Sequence, residues 1–172
     1  MTAVKDHATL IQAAKLVHAT LPEAYFVLVG DGPLRGTLTE QIRQLGLETV
    51  VRLTGSQLDV RQWLTASDLG VLTSTSEGCS NSVLEYMGMG LPSILSKIPA
   101  NQELADDVFY TVGDASELAD KIISLWYSPR ERDRISSEYR MRAIQYGGDA
   151  FQERAQGFYV RLIAGATWKQ AV

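Results

Sequence analysis

The sequence predicts an α/β domain: a parallel sheet with helices on both faces. Three observations carry this. Short apolar runs alternate with longer segments of helical period along the chain, which calls for right-handed crossovers between parallel strands. A run such as Tyr-Phe-Val-Leu-Val at 25–29 is continuously apolar, as a strand buried on both faces is. The 172 residues contain no repeat, low-complexity stretch or linker, so they read as one domain with a core of its own.

Each element has its local reason. Residues 7–21 place Leu10, Ala13, Ala14 and Val17 at helical spacing, and Pro22 stops the run. The strand at 25–29 meets Gly30-Asp31-Gly32-Pro33, a turn whose proline suits a first helical position. Residues 34–45 form a helix closed by Gly46. A strand at 50–54 and a short helix at 60–66 follow, then an apolar strand at 69–73. A further strand at 92–96, one helical turn at 101–104 and a strand at 108–112 precede two helices, 116–126 and 129–146. The mixed-sign run Arg130-Glu131-Arg132-Asp133-Arg134 reads as a solvated face. Gly147-Gly148 breaks that helix, and residues 150–163 form a last one, with Phe151, Phe158, Tyr159 and Leu162 along one side.

Composition narrows the function. Apolar content of 45% and charged content of 21% describe a globular chain. A net charge of −4 argues against a dedicated nucleic-acid binder. The single cysteine, Cys79, excludes an internal disulfide and paired-cysteine metal sites. No apolar run approaches the roughly 20 residues of a membrane span, and the polar start has no signal-peptide pattern. The expected setting is the cytoplasm.

The chain is organised around residues 76–92. This stretch leaves the strand at 69–73, turns through Glu77, Gly78 and Cys79, and enters a helix in which Val83, Leu84 and Met87 share a face. Ligands of α/β sheets bind at the carboxyl ends of strands, and a helix N-terminus there suits a phosphate. Glu77 and Glu85 flank that position and could accept hydrogen bonds from hydroxyls on either side of it. A ligand with hydroxyls on both sides of a diphosphate is a nucleotide sugar. The competing reading is structural: Ser82-Val-Leu-Glu85 fits a capping box, in which Glu85 would only satisfy backbone donors.

Glu77, seven residues, Glu85 and then Gly90-Leu91-Pro92 resemble the E-x7-E segment of glycosyltransferase family 4 (group 1), retaining enzymes of the GT-B architecture. Lys5-Asp6-His7, Gly30-Asp31-Gly32-Pro33, Thr54-Gly55 and Ala66-Ser67-Asp68 match the same family in order and roughly in spacing. The resemblance covers nearly the whole chain and implies a Rossmann-like domain, the nucleotide-sugar-binding C-terminal half of such an enzyme. It implies that Glu85 accepts from the ribose hydroxyls and that Glu77, the candidate catalytic residue, lies near the donor sugar. Lys5, Gly78, Cys79, Ser80, Asn81 and Ser82 would face the diphosphate, where donors around a leaving phosphate lower the barrier. Gly30 and Gly32 would let backbone approach the nucleotide. The loop 53–58 would hold the base by main-chain contacts, with Asp59 a better candidate for a helix cap than for the base.

The family pairs the lysine with an arginine about five residues upstream, which has no counterpart after Met1. The implied donor is a UDP-, GDP- or ADP-sugar. No cofactor is expected, and with no Asp-x-Asp motif the site is expected to work without a metal. The acceptor, a glycan, lipid or small molecule, would be met through an N-terminal half not contained in these residues, with peripheral contact at the inner face of the membrane. On this reading the chain alone binds donor without transferring it. Two rivals remain: half of a sugar-nucleotide 2-epimerase, disfavoured by having only His7 and His18, and a non-catalytic domain that kept the fold.

Two structural expectations follow. The last helix should leave part of its apolar stripe, or Trp168 beyond it, exposed. The resembled domain opens with an apolar strand before the segment corresponding to 1–5, at the centre of the order 3-2-1-4-5-6. The strands at 25–29 and 69–73 should be its neighbours, either lying apart or closing up on each other.

Overall fold

The computed structural model describes residues 1–106 and 108–146. The expected last helix at 150–163 and Trp168 lie outside the described residues. The strands are β1 (Phe26–Val29), β2 (Val51–Gly55), β3 (Gly70–Leu72), β4 (Ser93–Ser96) and β5 (Val108–Tyr110). The helices are α1 (His7–Thr20), α2 (Arg35–Gln44), α3 (Arg61–Thr65), α4 (Asn81–Met89), α5 (Pro99–Leu104), α6 (Ala115–Trp126) and α7 (Pro129–Gln145). A 3-10 turn at Ala3–Lys5 precedes α1.

All pairings between the named strands are parallel, but they form two sheets rather than one. β1 pairs with β2, with Phe26 opposite Val51 and Leu28 opposite Leu53. β4 lies between β3 and β5, with Ile94 opposite both Val71 and Val108. Among the described residues no strand joins β1 to β3. They flank a groove of about 660 Å³ lined by Phe26 to Val29 on one side and Gly70 to Thr73 on the other. The order β2-β1, groove, β3-β4-β5 is that of a doubly wound sheet with the groove at its central position. Of the two arrangements expected for these strands, they lie apart.

Elsewhere the boundaries move by a residue or two, with local causes. β5 stops at Tyr110 rather than 112 because the Thr111 N–H leaves the ladder for Glu117 Oε2, at 2.7 Å. α5 begins at Pro99, a proline at a first helical position. The charged start of α7 is not wholly solvated. Arg134 pairs with Glu131 and Glu138 on the surface. Arg132 instead turns back, lies over the Trp126 ring at 5.6 Å and donates to the carbonyls of Leu125 (2.9 Å) and Trp126, satisfying the end of α6.

α1 packs against α6, and α4 packs against α7. The core joins Ile11, Val17, Val83, Met87, Ile94, Leu95, Leu118, Ile135 and Tyr139, none more than 0% exposed. α4 ends at Gly90, whose φ of 61° is left-handed and returns the chain into β4. A Cβ there would run into the Arg140 side chain.

Candidate functional site

The carboxyl ends of β1 and β3 are bridged by the first residues of the chain. The Met1 ammonium contacts the Asp31 carbonyl, and the Leu34 N–H donates to the Met1 carbonyl at 3.2 Å. On the other side, Thr75 N–H donates to Val4 O at 2.8 Å and Thr73 Oγ1 to Lys5 O at 2.6 Å. The bridge then turns sharply. Asp6 is the only non-glycine among the described residues with positive φ, at 41°. Its carboxylate caps α1, accepting from Thr9 N–H at 3.4 Å and Thr9 Oγ1 at 2.6 Å. This one left-handed residue starts α1 while leaving Lys5 aimed across the end of β3.

Lys5 Nζ meets Glu77 Oε1 at 2.6 Å. Ser74 Oγ donates to the same oxygen, also at 2.6 Å. Burial pushes the Glu77 carboxyl up, but the ammonium and the hydroxyl outweigh it and hold it below the ordinary glutamate value. Glu77 is therefore an anion oriented by two donors, with its second oxygen Oε2 given no hydrogen bond by any described residue.

The loop beyond Glu77 runs through Gly78 and Cys79, both exposed. Their N–H groups carry no hydrogen bond to a described residue, whereas Asn81 N–H already donates to Cys79 O at 3.1 Å. Ser80 occupies the N-cap position of α4 without capping it. Its hydroxyl points inward and donates to Asn101 Oδ1 at 2.7 Å, so only its main chain remains for a ligand. The capping box over 82–85 does not form: α4 begins at Asn81, so Ser82 and Glu85 are both inside the helix. Glu85 is exposed, on the second turn. Its charge, after burial, helps push the Tyr86 hydroxyl up to about 12. Tyr86 itself donates to Val71 O at 3.1 Å, fixing α4 over β3.

Lys5, Gly30, Ser82 and Glu85 line one cavity, the groove between the sheets, with Met1 and Asp31. Glu77 joins them through Lys5. Gly32 meets Met1 so closely that a Cβ would overlap its backbone. Gly78, Cys79, Ser80 and Asn81 lie on the approach to α4, outside the lining of that cavity. Asp59 stays on the surface, accepting from Arg61 N–H and its guanidinium; the expected cap role is not taken up, since Val60 holds the N-cap position of α3 and no side chain caps it.

Sequence reasoning missed three buried residues behind the site: Ser74, Ser96 and Asn101, each 0% exposed. It passed over His7 as a site residue too. His7 lines the groove, and burial, then the terminal ammonium and Lys5, push its imidazole's pKa down. Among the described residues no cluster of three or more His, Cys, Asp or Glu side chains is placed to hold a metal, and no helix is long and apolar enough to cross a membrane.

Residues 1–128 match the family model for glycosyl transferases, group 1. The lipopolysaccharide core biosynthesis glycosyltransferase LpsD of Rhizobium meliloti is 36% identical over 137 residues, 77% of this chain and 39% of that protein. N-acetyl-alpha-D-glucosaminyl L-malate synthase of Bacillus anthracis is 35% identical over 154 residues, 82% of this chain and 40% of that protein. Among solved structures, Anabaena HepE in complex with UDP and glucose superposes with a TM-score of 0.84 at 27% identity, over 93% of this chain and 46% of that one. The chain thus spans less than half the length of these relatives.

Proposed function

From the premise that this chain belongs to the group 1 glycosyl transferases, we propose that its described residues form the donor side of a glycosyl transfer, binding a nucleoside diphosphate sugar. The single observation that carries this is the convergence of Lys5, Glu77, the exposed Gly78–Cys79 turn and Glu85 at the carboxyl ends of β1 and β3. A lysine and open N–H groups at a helix start suit a diphosphate. Glu85, in the groove wall, is the acceptor for ribose hydroxyls. Glu77, already held by Lys5 and Ser74, presents its second oxygen to the sugar. The complexes of HepE with UDP and with UDP-glucose make these the first probes, with GDP- and ADP-sugars as comparisons.

The charge on Lys5 and the N-terminus of α4 are the groups proposed to neutralise the leaving diphosphate without a metal. Transfer is proposed to keep the anomeric configuration, to a glycan, lipid or small-molecule acceptor, as in the GT-B enzymes the motifs resemble. The relatives' roles in lipopolysaccharide core biosynthesis and in a glucosaminyl malate synthesis support a cell-surface or small-molecule glycoside as the product class. The inner face of the membrane is the proposed place of work.

Calorimetric titration with UDP and UDP-glucose, with and without a chelator, tests this. Binding should survive the chelator. Glu85→Gln should weaken both ligands by about 1–3 kcal/mol, the scale of a hydrogen bond to a charged group. Glu77→Gln should weaken UDP-glucose while leaving UDP nearly unchanged. Loss of fold stability in Glu85→Gln with nucleotide binding intact would overturn the assignment. Where turnover is measured, proton NMR of the anomeric centre of the product decides retention.

A further inference from the structure

Behind Glu77 runs a chain of buried hydrogen bonds that ties down both feet of the loop carrying it. At one foot, Ser74 Oγ donates to Glu77 Oε1 at 2.6 Å, and the Ser74 carbonyl accepts from Ser96 Oγ, also at 2.6 Å. At the other foot, Ser80 Oγ donates to Asn101 Oδ1 at 2.7 Å. Asn101 closes the circuit: its Nδ2 donates to Ser96 O at 2.8 Å and to Ser96 Oγ at 3.2 Å. Ser74, Ser96 and Asn101 are 0% exposed and Ser80 is 1%. The bonds connect the ends of β3 and β4, the first helical turn of α5 and the residue before α4.

The arrangement is specific in its chemistry. The Asn101 amide uses both N–H donors on Ser96 and its oxygen on Ser80, so an aspartate or leucine of similar size could not replace it without stranding partners. Neutral hydrogen bonds contribute modestly to stability, whereas a stranded buried partner costs more. A fully satisfied buried network holds one geometry. The five residues between Ser74 and Ser80 are exposed or half-buried and have few other anchors, so this clasp sets the width of the loop.

We propose that Asn101, acting through Ser96 and Ser80, is a positioning residue that fixes the loop 75–79, and with it the Glu77 carboxylate and the start of α4, for the donor. The link to a donor rests on the function proposed above; the clasp itself does not.

The test uses the full chain and two variants, Ser96→Ala and Asn101→Ser, with Ser80→Ala as the mildest cut should either fail to fold. Amide hydrogen exchange is followed across residues 74–82 and, as reference, across α1 and α6. The Glu77 carboxyl is titrated by carbon-13 NMR. UDP is titrated by calorimetry. Exchange in 74–82 should accelerate by about tenfold, the size of one lost buried hydrogen bond, with α1 and α6 unchanged. The Glu77 titration should move up toward an ordinary glutamate, and UDP should bind about five- to tenfold more weakly. Exchange that rises evenly over the molecule, or a Glu77 titration that stays put in a folded variant, overturns the proposal. Unchanged UDP affinity in a variant with a loosened loop overturns the role at the site. If the unaltered chain binds no UDP, the donor reading fails, while exchange and titration still decide the clasp.

Discussion

The two sheets have similar strands and very different surroundings. β4 has a hydrogen-bonded neighbour on each side and all four of its residues are buried. Among the described residues β1 has one neighbour, and only Leu28 of its four residues is buried. Both read as strands in the sequence, β1 as an apolar run and β4 as two apolar residues between serines. The difference lies in what stands beside them: β4 is sandwiched between strands, packed by α6 and bonded through Ser93 to Tyr139 of α7, while β1 faces the groove. A buried parallel strand is therefore defined by its neighbours as much as by its own residues. The same contrast orders the candidate site. One side is the β3–β4 edge, with the Ser74–Ser96–Asn101 hydrogen bonds behind it. Its other side reaches β1 through the short bridge of residues 1–5.

The largest effect that sharpens this contrast is expected in the core. Ile94→Ala on β4 removes a side chain that is 0% exposed and should cost about 2–5 kcal/mol. Val27→Ala on β1, where Val27 is half-buried and lines the groove, should cost about 1 kcal/mol. Urea unfolding of both variants measures the pair. Equal losses would mean that the two sheets are packed alike.

A middle-sized effect is expected at Gly90. Its φ of 61° and the nearby Arg140 side chain oppose any Cβ. Gly90→Ala should lose about 1–3 kcal/mol by urea unfolding, and near-neutral behaviour would show that the α4–β4 turn is not held by this conformation. Gly32→Ala is the counterpart on the β1 side. Its Cβ would overlap the Met1 backbone, so the bridge must move while the core stays. Amide shifts should change at residues 1–5, 73 and 75 and not at α6.

Much of the fold was legible, and the reasons are local. Apolar runs ended by glycine or proline marked the strands, and α6 and α7 came within a residue of their expected bounds. The spacing of Glu77 and Glu85, with the four companion segments, marked the loop and helix of the candidate site. The clasp behind them was not legible. Ser74, Ser96 and Asn101 sit at element ends, where small polar residues ordinarily signal turns, and Asn101 meets a serine 21 positions away. No periodicity announces such a partnership; only the approach of β3, β4 and α5 creates it. Nor could spacing show that the Ser80 hydroxyl turns inward, because an N-cap serine ordinarily bonds to its own helix. The flanking of the central position by β1 and β3 was legible from the order of the segments; whether those strands would lie apart or close up was not, because strand pairing is a tertiary fact.

The smallest expected effect on stability is at the ion pair that joins the two sides. Lys5 is 40% exposed and Glu77 14%, and a pair this open contributes little once solvent screening is counted, on the order of 0–1 kcal/mol. Lys5→Ala should therefore barely move the urea midpoint. Its consequence is local and pH-dependent. Burial raises the Glu77 carboxyl, and Lys5 and Ser74 lower it by more. A carboxyl whose folded pKa is depressed contributes fully above the unfolded glutamate value, about 4.3, and that contribution fades as pH falls through the lower, folded value. The bridge should hold at neutral pH and loosen only in acid. The expected signal is a shift of the Lys5, Thr73 and Thr75 amides on acidification below about pH 4.3, following the Glu77 carboxyl and absent in Glu77→Gln. Lys5→Ala should move that transition up in pH while leaving the core amides of α6 untouched. A transition that ignores both substitutions would place the link between the two halves in the backbone bonds to Val4 and Lys5 rather than in the charge pair.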